Sequence, residues 1–316
     1  MRNMTGVLHP DLPRFIAFGA AYTELQRSGP DLWRSVNRGA PWQVAVALST
    51  LGELSAFAGA ISQDAFGQEI WIDSSDANLD LRFIQQLPKP PLMALSRPDE
   101  APQFFVGQDS ADLHFRPEGL PSGWLKRLRW AHFGGLSLVR QPLGLRLLAL
   151  AEGLKAEGKT LSYAPEFSLQ MDSRYDETLE RMCRLADVIQ ISEAELRGLF
   201  RAQDYRVGLA QISAWNPDAM LLLQHGVAGH ATLFRGREEW HAQIADYDVV
   251  DPVGARESGL AGLMFSCLRQ REAPVQQHLR WAVAAEAAAC SAAGFCPPSE
   301  ALVATLAARA LLKTGG

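Results

Sequence analysis

The stretch Asp251-Pro252-Val253-Gly254-Ala255-Arg256-Glu257 sets a glycine turn ahead of an apolar helix, with a carboxylate in that helix's first turn. Free backbone N–H groups at such a helix start form an anion site. A carboxylate beside them can take a proton from an attacking hydroxyl while the amides hold a phosphoryl group. The same pattern also suits a plain glycine turn whose acidic residue is favoured by the helix dipole. Chemistry at this segment therefore needs support from the rest of the chain.

Other reactive residue types contribute less. The four cysteines, Cys183, Cys267, Cys290 and Cys296, contain no CxxC pair, which excludes a zinc ribbon and a thioredoxin-type motif. A disulfide framework does not suit a chain of this length. Cys290 and Cys296 bracket the end of the last expected helix and are expected to be reduced and buried. His225 and His230 flank Gly226 and Gly229 and read as partly exposed turn residues. No residues have metal-site spacing, so no metal ligands are assigned.

These residues need a frame. The chain has 316 residues, 47% hydrophobic and 21% charged, enough for a large α/β domain with a substantial core. A net charge of −5 argues against a nucleic-acid partner, which needs a basic face. The N-terminus has no continuous apolar segment and no A-x-A site, so a secretory signal is not expected. No apolar run approaches the ~20 residues that span a bilayer. A soluble, cytoplasmic protein is expected.

Phe15-Ile16-Ala17-Phe18 reads as a buried strand ending at Gly19. The polar stretch from Thr23 to Asn37 is too irregular for a long helix. Gln43 to Leu51 reads as a packed helix stopped by Gly52. Ala56 to Ile61 is a second strand, and Asp64-Ala65-Phe66-Gly67 opens another helix. From Leu87 to Leu120 the chain is rich in Pro, Asp and Gln, with alternating runs such as Gln103-Phe104-Phe105-Val106. That predicts small antiparallel strands or an inserted flap. Beyond Trp130, strands are expected over Ala131–Gly134, Thr160–Tyr163, Asp187–Ile191 and Met220–Gln224. Helices are expected over Leu143–Glu157, Asp176–Leu185, Glu193–Phe200, Gly254–Arg269 and His278–Ala293, with a hairpin between Gly229 and His241. Strands alternating with helices imply a mostly parallel sheet covered on both faces.

In this order the segments resemble the PfkB/ribokinase family of carbohydrate kinases, most closely its fructokinase branch. Phe18-Gly19-Ala20-Ala21-Tyr22-Thr23-Glu24 is similar to that family's F-G-E-x-L-x-D. Arg38 to Gly52 resembles G-G-A-P-A-N-V-A-x-x-L-x-x-L-G, and Ile61 to Gly67 resembles I-G-x-D-x-F-G. His132 to Leu138 is similar to H-F-G-S-x-S-L. Ser162 to Ser168 sits where the family has x-F-D-P-N-x-R. Gln190 to Leu196 resembles K-I-S-x-x-E-L, and Asp251 to Glu257 resembles D-T-x-G-A-G-D. The resemblance implies one domain over residues 1–316. It would be a ribokinase-like three-layer α/β/α sandwich with a mostly parallel central sheet, and a small β lid drawn from about residues 22–37 and 92–114. It also implies transfer of the γ-phosphoryl of ATP to a sugar or nucleoside hydroxyl, with Mg²⁺ bridging the phosphates. A homodimer paired through the lid and an adenine side near His225 and His230 follow from the same resemblance.

The resemblance assigns positions residue by residue. Glu257 stands at the catalytic base, where the family has Asp. Gly254, Ala255 and Arg256 stand in the anion hole, Arg256 replacing a glycine. The sugar-site positions are Glu24 for Asp, Arg38 for the first glycine of a pair, Gly39, Gln43 for Asn, and Glu166 in the altered triplet Ala164-Pro165-Glu166. On the nucleotide and phosphate side stand Gln190 for Lys, Glu195 (the retained acid near the metal and phosphates), Gln224 for Thr, Gly226 and Gly229.

Several of these exchanges lengthen a side chain by a methylene, and misplacement of about an ångström can cost ~100-fold in rate. Phosphoryl transfer depends on positioning and electrostatics. The expectation is therefore a degenerate pseudokinase of weak or absent activity. It would keep the fold for sensing a sugar or nucleotide ligand, for scaffolding or for binding a protein partner, with ATP and Mg²⁺ as its ligands by resemblance. The alternative is an active ATP-dependent, fructokinase-like sugar kinase using Glu257 as general base. An Arg38–Glu24 or Arg256–Glu257 ion pair is expected to occupy the site without ligand. Trp33 and Trp42 read as partly buried aromatics.

Overall fold

Phe15–Phe18 (β1) is buried at every position, with Phe15 and Ala17 in one apolar cluster and Ile16 and Phe18 in another. Alternating side chains that enter two separate cores mark a strand with helices on both sides. The computed structural model describes residues 11–97, 104–226 and 228–314.

The remaining strands are β2 (Tyr22–Arg27), β3 (Trp33–Arg38), β4 (Ser55–Ser62), β5 (Ile84–Leu87), β6 (Met93–Ser96), β7 (Phe104–Val106), β8 (Trp130–Gly134), β9 (Thr160–Ala164), β10 (Val188–Ser192), β11 (Met220–Gln224), β12 (His230–Arg235), β13 (Glu238–Gln243) and β14 (Leu311–Thr314). The helices are α1 (Ala40–Thr50), α2 (Ala65–Asp76), α3 (Trp124–Arg127), α4 (Leu143–Ala156), α5 (Asp176–Leu185), α6 (Glu193–Phe200), α7 (Tyr205–Trp215), α8 (Ala255–Arg269), α9 (Val275–Ala289) and α10 (Glu300–Arg309).

The main sheet has ten strands in the order β14-β13-β12-β11-β10-β9-β8-β1-β4-β5. Pairing is parallel from β5 through to β11 and antiparallel for β12, β13 and β14. Helices α1, α8, α9 and α10 cover one face, and α4 to α7 cover the other. This is the ribokinase-like three-layer arrangement. Helices α8 and α9 pack closely because Gly262 has no side chain; a Cβ there would stand 2.5 Å from the carbonyl oxygen of Trp281.

A separate four-stranded sheet has the order β3-β2-β6-β7. The polar stretch after β1 is its β2–β3 hairpin, and the alternating run at Phe104 is β7. Residues 98–103 of the stretch read as the second lid segment lie outside the described residues. So do the first ten residues, on which the secretory-signal reading rests. No described helix is long and apolar enough to cross a membrane.

Three expectations need correction. The helix expected over His278–Ala293 runs from Val275 to Ala289, and Gly294 lies beyond it in left-handed conformation at φ 73°. It is also not the last helix, since α10 follows. Cys290 is buried as expected, but Cys296 is exposed. It precedes Pro297 and Pro298, whose missing N–H groups keep this segment a surface loop.

Candidate active site

Strand β1 pairs with β4 on one side and β8 on the other, so successive connections leave it in opposite directions. Open α/β sheets bind ligands beyond the carboxyl ends of their strands at such a switch point. Glu166, Ser192 and Gln224 stand at or just past the carboxyl ends of β9, β10 and β11. A cavity of about 560 Å³ lined by Arg14, Arg129, Lys159 and Arg235 lies at the opposite, amino-terminal ends of β1, β8 and β9. It is remote from these residues.

The start of α8 is held from both sides. Asp251 accepts from the backbone N–H of Val253 (3.0 Å) and of Gly294 (2.8 Å), tying the turn to the loop after α9. Gly254 caps the helix at φ 77°, and a Cβ there would stand 2.2 Å from the Phe295 ring. Only glycine fits both the conformation and the space. The N–H groups of Ala255 and Ser258 bond Pro252 and Gly254, while those of Arg256 and Glu257 have no protein acceptor among the described residues. Those two N–H groups are available to an anion.

The Arg256 guanidinium makes a two-pronged bridge to Glu195, Nη1 to Oε1 at 2.7 Å and Nη2 to Oε2 at 2.8 Å. Its Nε donates to Gln224 Oε1 at 3.0 Å. The expected Arg256–Glu257 pair is therefore replaced by Arg256–Glu195. A two-pronged fork on a carboxylate is the stronger geometry. Gln190 Nε2 donates to the Arg256 carbonyl at 2.8 Å. Gln224 Nε2 donates to Glu286 on α9 at 3.1 Å. Burial pushes the Glu286 carboxyl up to about 8, against the Gln224 hydrogen bond and the Arg256 charge.

Glu195 is the third residue of α6 and closes a capping box with Ser192. Its Oε2 accepts from Ser192 N (2.8 Å) and Ser192 Oγ (2.9 Å), and its Oε1 accepts from Phe167 N (3.3 Å). With Arg256 added, every acceptor position of this carboxylate is occupied. Magnesium needs an oxygen ligand at about 2.0–2.1 Å, and Glu195 offers none. Among the described residues no group of three or more His, Cys, Asp or Glu is placed to hold a metal ion.

The small sheet brings a second ion pair to the same edge. Tyr22 pairs across from Arg38, and Glu24 lies two residues along, so all three share one face. Arg38 Nε donates to the buried Glu24 carboxylate at 2.8 Å, as expected. Glu166 follows β9 in left-handed conformation at φ 48°. Burial, then the negative charge of Glu257, raises its carboxyl to about 8, while Arg256 and Arg38 pull the other way. Burial and then the Glu166 charge also raise the Tyr22 hydroxyl. Glu166, Glu257, Arg256, Arg38 and Tyr22 thus lie close enough to feel one another's charge.

The profile of pfkB family carbohydrate kinases matches residues 33–302. The chain belongs to that family. A fructokinase of Klebsiella pneumoniae is 28% identical over 255 residues, covering 78% of this chain and 81% of that protein. Fructokinase-2 of Solanum lycopersicum is 27% identical over 294 residues, covering 88% and 87%. Among solved structures, a fructokinase of Xylella fastidiosa with bound ATP aligns at TM-score 0.83 and 22% identity, covering 93% of this chain and 98% of that one. A fructokinase of Vibrio cholerae holding fructose, ADP and a calcium ion aligns at 0.81 and 23%, covering 94% and 99%.

In this pfkB-family chain several of the sequence-assigned positions are joined by hydrogen bonds or ion pairs. Gln190, Glu195 and Gln224 hydrogen-bond Arg256 at the start of α8, Glu257 lies in its first turn, and Glu24 pairs with Arg38 on the small sheet. Others serve the frame. Gly39 caps α1 at φ 128° and would place a Cβ 2.4 Å from the Ala20 carbonyl oxygen. Gln43 is buried on the first turns of α1. Among the described residues nothing would crowd a Cβ on Gly226, while a Cβ on Gly229 would meet Ala287 and Tyr247.

His225 bonds Glu193 (2.8 Å) and Thr232 (2.6 Å), and its ring lies 4.6 Å from that of His230. Trp42 is fully buried, donating to Ser74 Oγ at 2.9 Å and leaning on Phe295, while Trp33 is exposed. Sequence reasoning missed Tyr22 and Glu286 as site residues. For Glu286 the signal was a lone acid inside an apolar, alanine-rich helix.

Proposed function

We propose that this chain is an ATP-dependent sugar kinase of the fructokinase type, with Glu257 taking the proton from the acceptor hydroxyl. One observation carries the reading. A half-buried carboxylate sits in the first turn of α8, beside two backbone N–H groups without acceptors among the described residues. In the reaction the sugar oxygen attacks the γ-phosphorus as its proton passes to Glu257. The bond to the β–γ bridging oxygen breaks, and ADP leaves with that electron pair. The amides of Arg256 and Glu257 and the Arg256 guanidinium offset the negative charge on the transferring group. Glu166, held protonated near neutral pH, offers the sugar an O–H donor as well as an acceptor.

The fructokinase relatives support a sugar acceptor, and the Vibrio cholerae structure binds fructose with ADP. ATP is the expected phosphoryl donor. The Mg²⁺ expected with it does not find a ligand in Glu195, and no step is assigned to it. The test is ADP release with ATP and a panel of ketohexoses, aldohexoses and nucleosides. Turnover is expected with a hexose, and Glu257→Gln should lower kcat by about 100-fold or more while leaving ATP affinity within about threefold.

A second reading is the degenerate kinase that binds sugar or nucleotide for sensing, scaffolding or partner recruitment. The Arg38–Glu24 and Arg256–Glu195 pairs favour it, because both fill polar space inside the site. Ligand binding without turnover on the whole panel would select this reading.

A further inference from the structure

Glu195 and Arg256 together pose a question about the nucleotide's counter-ion. A polyphosphate in this site needs positive charge, and a divalent metal held through a carboxylate is one way to supply it. Here the carboxylate is consumed. Glu195 Oε1 accepts from Arg256 and Phe167, and Oε2 accepts from Arg256, the Ser192 amide and the Ser192 hydroxyl. Its side chain is only 7% exposed. Displacing Arg256 to admit a metal would leave the guanidinium to find new partners inside the site.

The cation already present is well set for phosphate. Burial opposes the charge on Arg256, but the neighbouring carboxylates of Glu195 and Glu257 more than offset this. Three of its five N–H groups are used, on Glu195 and Gln224, leaving two for a ligand. Its own backbone N–H is one of the two without acceptors at the start of α8. An anion on those amides lies within reach of the same residue's side chain. Glu195 and Gln224 thus fix the fork in place before any ligand arrives, which lowers the ordering cost of binding.

We infer that Arg256 is the resident cation for the nucleotide's phosphates, so that ATP binds this chain without a divalent metal; the inference rests on the nucleotide being a ligand of this site, as proposed above. Isothermal titration calorimetry of the full chain tests it, with ATP in EDTA and ATP in excess Mg²⁺. The two dissociation constants are expected to agree within about threefold. In Arg256→Gly, which frees Glu195, affinity for metal-free ATP should fall by about tenfold or more, and Mg²⁺ should restore part of it.

Arg256→Lys keeps the charge without the fork and guards against a glycine variant that fails to fold. It should weaken metal-free binding by less than the glycine variant does. Wild-type affinity that rises tenfold or more with Mg²⁺ overturns the inference and leaves the kinase reading intact. Equal affinity of all three chains for metal-free ATP overturns it too. Absence of ATP binding under both conditions removes the kinase reading and this inference together.

Discussion

Glu166 and Glu286 are carboxyl groups raised by burial to about 8, one at the end of β9 and one on α9. Each binds its proton more tightly in the folded chain than in the unfolded one, whose carboxyl titrates near 4.5. The folded state therefore holds more protons across that window, and stability falls as pH rises from about 4.5 to about 8. Buried histidines such as His132, lowered to about 3, act in the acid range and in the opposite sense. Glu286→Gln isolates one group. Its loss of unfolding free energy between pH 5 and pH 8.5, read from urea melts, should be smaller than that of wild type by up to roughly 4 kcal/mol. Equal losses in the two chains would mean that Glu286 is ionised in the fold. Glu24 gives a second case. Its carboxylate is buried and Arg38 is its ion-pair partner, so Arg38→Ala should destabilise the chain by about 3 kcal/mol. Adding Glu24→Gln should recover part of that loss, and a double-mutant cycle measures the coupling.

Helix termini are where this sequence states its structure most plainly, and two of them build the site. Ser192 and Glu195 cap α6, and the same Glu195 anchors Arg256 of α8. Ser192→Ala should cost about 1 kcal/mol in stability and loosen the Arg256 fork as well. The accompanying loss of nucleotide affinity, read by calorimetry, separates that effect from a cap acting on α6 alone. Gly254→Ala should act more strongly, since it combines a left-handed φ with a collision against Phe295.

The buried strands and the capped helices were legible, because apolar runs bounded by glycine and S-x-x-E spacing are local signals. Helices α5 and α6 have the bounds read from sequence. Helix α7 was not read, for Gly208 interrupts its short apolar pattern and its N-cap Asp204 is the only strong local mark. Strand β14 was missed because it is a four-residue edge strand defined by pairing with β13, a contact made far along the chain. The partner of Arg256 was illegible for the same reason. Sequence placed the cation beside Glu257, but the fold brings Glu195 to it from 61 positions away.

On the scale of the whole molecule, the small sheet has two unlike faces. Cross-strand register sets Tyr22, Glu24, Arg38, Ala94 and Phe105 on one face, toward the site. The opposite face carries Leu25, Leu95 and Phe104 beside Ser35 in one row and Met93 and Val106 beside Thr23 and Asn37 in the next, with Trp33 across from Arg27 at the hairpin end. Phe104 is 61% exposed, Val106 48% and Trp33 45%. The exposed side chains of Phe104, Val106 and Trp33 lack the polar cover expected of a solvated antiparallel face. Pairing of two lids, the expectation drawn from the family resemblance, would bury that face against its own copy in a two-fold, self-complementary contact. Sedimentation equilibrium at micromolar concentration should therefore give twice the mass of one chain. Phe104→Glu with Val106→Glu should give a single chain of unchanged secondary structure by circular dichroism. Because β2 and β3 carry Glu24 and Arg38 on the inner face, freeing the lid should raise the KM for sugar while leaving the Kd for ATP, set at α8, unchanged. A wild-type chain that sediments as a monomer, or a charged variant that remains a dimer, places the contact elsewhere and leaves that face to another role.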